Sequence, residues 1–75
     1  MISFVIIEMQ TDEAGATAFT PPVCESDEAE AWSKYYITLS YAIRSSVYSH
    51  TVMLLTTDGR LVDSKNYVHL GAADS

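Results

Sequence analysis

Residues 32–70 constrain the fold most, because an amphipathic helix there runs into a β-hairpin that closes at Asp58-Gly59. Trp32, Tyr35, Tyr36, Leu39, Ala42 and Ile43 recur at intervals of three and four. That spacing stacks side chains on one stripe of a 3.6-residue helix, so the stripe is expected to face a core. Ser26, followed by Asp27, Glu28 and Glu30, marks the start: a cap oxygen satisfies free backbone donors, and carboxylates in the first turn favour the positive end of the helix dipole. Asp27 with Glu30 offers an alternative capping box at the same place. Ser45-Ser46 and the β-favouring Val47-Tyr48 mark the end. A helix over residues 27–46 is predicted.

Asp-Gly suits the positive φ values of a type I′ turn, and both flanks are rich in Val, Leu, Thr and Tyr. Strands are therefore expected over residues 49–57 and 60–69. With Asp58 and Gly59 as a two-residue loop, Thr57 faces Arg60, Leu55 faces Val62, Met53 faces Ser64, His50 faces Tyr67, and Tyr48 faces His69. Side chains alternate, so Met53, Leu55, Val62, Val68 and Leu70 share one face, expected to pack on the helix. Tyr48, His50, Lys65, Tyr67 and His69 share the other face with Val52, Leu54 and Leu61, leaving a polar aromatic cluster at the open end of the hairpin.

Upstream, Ile2, Phe4 and Ile6 alternate with Val5, Ile7 and Met9, giving a strand over residues 2–10 that is apolar on both faces. Such a strand belongs in the middle of a sheet or against a partner. Residues 11–26 read as a loop, with a turn at residues 11–15, a short extra strand over residues 16–20 as an option, and Pro21-Pro22 breaking any later element. The fold class is then α+β: a small, mostly antiparallel sheet in the order strand, helix, strand, strand, with one helix on one face.

Seventy-five residues make one domain, near the size at which a single core yields only about 3–5 kcal/mol of net stability. The lone Cys24 offers no internal disulfide and no metal-type pair, which leaves self-association as the remaining support. No apolar run reaches the roughly 18 residues of a membrane span, and no basic segment opens the chain, so a soluble cytosolic protein is expected.

The net charge of −6 is unevenly spread. Glu8, Asp12, Glu13, Glu25, Asp27, Glu28 and Glu30 stand in the first 33 residues without a single Lys or Arg. Lys34, Arg44, Arg60 and Lys65 against Asp58, Asp63 and Asp74 balance the remainder. A basic nucleic-acid surface is not expected on this count, since phosphate attraction needs clustered cations. The acidic half reads as a solvated loop and helix start, or as a face for a basic patch on another protein.

Ala31-Trp32-Ser33-Lys34-Tyr35-Tyr36, then Leu39, Ala42, Ser45-Ser46-Val47, His50, Val52, Leu54-Leu55, Gly59 and Tyr67-Val68-His69 resemble small uncharacterised proteins encoded in phages and prophages of Gram-positive bacteria. The similarity spans residues 29–69. Tyr36 departs from it by standing where His is usual, and Tyr41, Ile43 and Arg44 depart by replacing a more alanine-rich segment. The resemblance implies origin in a mobile element and carries no agreed activity.

The candidate ligand-binding residues are His50, Tyr67, His69, Lys65, Arg44 and Tyr48. Ordinary cross-strand pairs on a surface, or a phosphate-bearing ligand held by these donors, are the readings weighed; two histidines without carboxylate or cysteine spacing are a weak signal for zinc. Ser45, Ser46 and His50 lack the surroundings of a nucleophilic serine, and Cys24 sits among carboxylates that blunt a thiol. Gly15, Gly59 and Gly71 are too scattered for a phosphate loop. No enzyme, cofactor or metal is therefore expected. Ile37 and Tyr41 lie opposite the helix stripe, ringed by Glu30, Lys34 and Arg44, and are the candidate oligomer interface. Three functions follow: a phage accessory protein that occludes a host defence component, a homo-oligomeric binder of a nucleotide-like signal, and a structural or assembly component of the phage particle.

Overall fold

The computed structural model describes residues 2–69, so Leu70 and the candidate position it held lie outside the described residues. Five strands form one antiparallel sheet with a single helix packed against it. The elements are β1 (Phe4–Thr11), β2 (Thr17–Phe19), β3 (Val23–Glu25), α1 (Glu28–Arg44), β4 (Ser49–Thr56) and β5 (Leu61–Val68). The order across the sheet is β2-β1-β4-β5, with β3 beside β2 on the same flank of β1. The doubly apolar β1 does sit in the interior of the sheet, as its pattern requires.

The helix begins where its carboxylates place it. Asp27 is the cap, and its carboxylate accepts the Glu30 backbone N–H at 2.9 Å. At the other end Ala42 C=O accepts from Ser45 N–H at 3.3 Å. The buried helix stripe is Ala31, Tyr35 and Ala42, flanked by Trp32 and Leu39. Tyr36 and Ile43, assigned to that stripe by spacing, are instead half exposed. Tyr36 stacks on Trp32 with ring centroids 5.8 Å apart, which shelters one side of its ring without burying it.

Three expectations are corrected here. The strand β3 lies in what read as loop: Val23–Glu25 pairs with Phe4–Ile6 immediately after Pro21-Pro22, because past the prolines the chain continues along β1 in the same antiparallel direction as β2. The hairpin turn is not type I′. Asp58 has no positive φ, and only Gly59 does, at 93°. Thr56 N–H donates to Arg60 C=O at 2.8 Å and Gly59 N–H to Thr56 C=O at 2.9 Å, which makes a three-residue loop ending in a left-handed glycine. That extra loop residue is offset by a bulge at Leu54/Leu55, so Leu55 faces Leu61 rather than Val62. Beyond the bulge the expected register holds, with Met53 facing Ser64 and His50 facing Tyr67.

The third correction concerns which face the helix covers. His50, Val52, Leu54 and Thr56 are the buried side chains of β4, together with Ile6 and Glu8 of β1. The helix therefore lies on the histidine-bearing face. Met53 and Leu55 occupy the opposite, uncovered face. Counting apolar residues in the hairpin alone favoured the wrong side, because Ile6 adds a core residue and Glu8 a partner for His50 on this one.

Candidate functional site

Glu8 and His50 reach each other diagonally across the β1–β4 ladder, where Glu8 stands opposite Val52 and Gln10 opposite His50. Both are buried, at 6% and 1% exposure. The His50 Nδ1 meets the Glu8 carboxylate in a short contact, so that carboxylate is satisfied inside the core. The other ring nitrogen, Nε2, is buried without a hydrogen-bond partner. A carboxylate holding an imidazole by one nitrogen is the arrangement that orients a histidine for proton transfer or metal ligation.

His69 closes this cluster from the hairpin's end. Its ring lies 5.5 Å from that of His50 and 4.9 Å from that of Tyr67, both edge-on. His69 Nε2 donates to Ala42 C=O at 2.8 Å, a carbonyl of the last helical turn that also accepts from Ser45 N–H. The backbone N–H of His69 also bonds Tyr48 C=O at 2.8 Å. His69 thus ties β5, the β4 entry and the helix end together. The structure brings His50, the exposed Tyr67, His69 and the half-buried Tyr48 to one end of the sheet. Lys65 stands one facing pair further along, exposed, with Asp63 as ion-pair partner at 3.8 Å. Arg44 is exposed at the helix terminus. Of the expected donor cluster, His50 alone is buried under the helix, Tyr48 and His69 are half-buried, and Tyr67, Lys65 and Arg44 are exposed.

Glu8 is the residue that sequence reading missed. Its signal was present as an acidic side chain at an inward position of a strand otherwise apolar on both faces, a placement that calls for a buried partner. Among the described residues no group of three or more His, Cys, Asp or Glu side chains could hold a metal. A shallow depression of about 260 Å³ lies elsewhere, lined by Gln10, Asp12, Ala16, Thr17, Ala18 and Val47.

The uncovered sheet face has the opposite character. Val5, Ile7 and Met9 of β1 stand there beside Leu55, Met53 and Thr51 of β4. Phe19 and Cys24, opposite Met9 and Val5, extend it over the short strands, and both are exposed. No described element packs on this face. The helix adds a second exposed set, with Ile37 at 50% and Tyr41 at 68%, the two residues expected at an interface. No helix is long and apolar enough to cross a membrane among the described residues. No family model, curated protein or solved structure matches the chain.

Proposed function

We propose that the chain is an interaction protein that binds a host protein through the open face of its sheet. In this reading it is an accessory factor encoded by a mobile element, and it acts in the bacterial cytoplasm by occluding a host defence component. The observation that supports it is the apolar row Val5, Ile7, Met9, Met53 and Leu55, continuous across the two central strands and left without a covering layer among the described residues. A sheet normally buries an apolar face against another layer, and a contiguous uncovered one marks a contact surface. The net charge of −6 favours a partner whose apolar patch has a basic rim. The arrangement supports a nucleotide-like ligand less well, because His50 is closed beneath the helix.

The test is affinity isolation from host cells with the wild-type chain and with Met53→Glu, followed by calorimetry of the purified pair. The wild type is expected to retain one partner, with binding that weakens as salt rises. Met53→Glu should lose about a hundredfold in affinity, since it carries an unpaired charge into an apolar contact. Equal retention of the same partner by both proteins would overturn the reading.

A further inference from the structure

The two edges of the sheet are treated differently. On the β1 side the edge is broken into two three-residue strands, β2 and β3, with Pro21-Pro22 between them. Short strands and prolines are what keep an edge from pairing with another chain. On the other side β5 runs for eight residues, and among the described residues nothing lies along its outer edge.

The ladder shows which backbone groups that edge offers. His69 N–H bonds Tyr48 C=O, and in an antiparallel pair hydrogen-bonded positions recur every second residue. Tyr67, Lys65 and Asp63 therefore turn their backbone groups toward β4. Ser64 and Asn66 turn theirs outward. Their side chains stand on the open face, and those of Asp63 and Lys65 on the helix-bearing face, opposite Leu54 and Val52.

We propose that β5 pairs antiparallel with β5 of a second copy about a two-fold axis at Ser64, joining the two sheets into one. Charge selects this register. An axis at Asp63 sets two carboxylates opposite each other, and one at Lys65 sets two ammonium groups opposite each other; both are destabilising. An axis at Asn66 leaves Lys65 facing Tyr67 of the other copy, with no ion pair. With the axis at Ser64, Asp63 of each copy faces Lys65 of the other, twice by symmetry, in the non-hydrogen-bonded positions where side chains come closest. Ser64 is also at the middle of Leu61–Val68, so the overlap of the two strands is greatest there. The charges on this edge thus set the pairing, as a polar residue sets register in other self-assembling elements. This inference is independent of the host-partner reading, and it places both open faces on one side of the joined sheet.

Sedimentation of the full chain reads the result. The wild type is expected to be a dimer. Ser64→Pro removes only an outward N–H, which an edge strand tolerates, and should yield a monomer with unchanged circular dichroism. Lys65→Asp should raise the dimer dissociation constant at least about tenfold, and the charge swap Asp63→Lys with Lys65→Asp should restore it. In a Cys24→Ser background, Ser64→Cys should form an intermolecular disulfide on mild oxidation and Asn66→Cys should not, because only residues facing each other at the axis fall within bridging distance. A monomeric wild type, a dimer indifferent to the charge swap series, or crosslinking through Asn66→Cys in place of Ser64→Cys would overturn the proposal. If Ser64→Pro fails to fold, the charge swap and the crosslinks decide.

Discussion

Glu8 and His50, 42 residues apart in the chain, form a buried carboxylate–imidazole pair that joins β1 to β4 beneath the C-terminal half of the sheet's only described helix. In a chain of 75 residues such a pair is a large fraction of what can go wrong. Removing one partner leaves the other polar and unsatisfied in the core. Glu8→Leu or His50→Leu alone should cost about 3–5 kcal/mol, enough to unfold much of the population, whereas the double replacement Glu8→Leu with His50→Leu should recover most of that loss. Urea denaturation of the three variants forms the cycle. Additive losses in the double variant would mean that the two side chains act separately.

Tyr35 presents a second buried polar atom. Its side chain is fully enclosed, its hydroxyl has no partner within bonding distance, and burial, with the neighbouring Asp63 charge second, pushes its pKa well above the ordinary tyrosine value. A raised folded pKa means that the fold holds Tyr35 neutral. Stability from this group is therefore intact below about pH 10, where the unfolded tyrosine ionises, and falls as pH rises from there toward the folded value. Tyr35→Phe should change stability little at pH 7, because the hydroxyl has only the nearby Asp63 carboxylate to interact with, and should flatten the alkaline decline. Thermal melts of both proteins across that range check the sign.

The hairpin turn gives a cleaner conformational test. Gly59 has φ of +93°, and a Cβ there would meet nothing within 4 Å. The whole cost of Gly59→Ala is then backbone strain, about 1–2 kcal/mol, and Gly59→Asn should cost less. Chemical denaturation resolves a difference of this size.

Asp58 of the same turn accepts from the Thr56 hydroxyl, which is the main reason its pKa is lowered. A depressed folded pKa means that this contribution is present at neutral pH and is lost as pH falls from the ordinary aspartate range near 3.9 through the folded value. Thr56→Val should remove that acid dependence of turn closure, followed by amide exchange at Arg60. An unchanged acid profile would show that the Thr56 hydroxyl does not set it.

Much of this fold was legible in local signals. The Asp27 cap, the interior β1 and the expected short strand near Thr17–Phe19 each rest on a few adjacent residues. What stayed hidden depended on distant partners. The face of the hairpin that turns inward is decided by Ile6 and Glu8 on β1, so a count confined to β4 and β5 could not find it. The strand β3 depends on pairing with Phe4–Ile6, which overrides the breaking tendency of Pro21-Pro22. The histidine cluster follows from register, but the burial of His50 follows from the helix position. The extra loop residue at the turn and the later bulge cancel, so the pairs nearest the histidines survived a mistaken turn type.

In the proposed function the working surface is the sheet face opposite the helix. A photo-crosslinking amino acid placed at Met53, and in a separate protein at Tyr41, reports directly on which face meets a partner inside host cells. The account predicts an adduct with one host protein from position 53 and none with that protein from position 41. An adduct from position 41 alone, or from neither position while the wild-type chain is active, would contradict it.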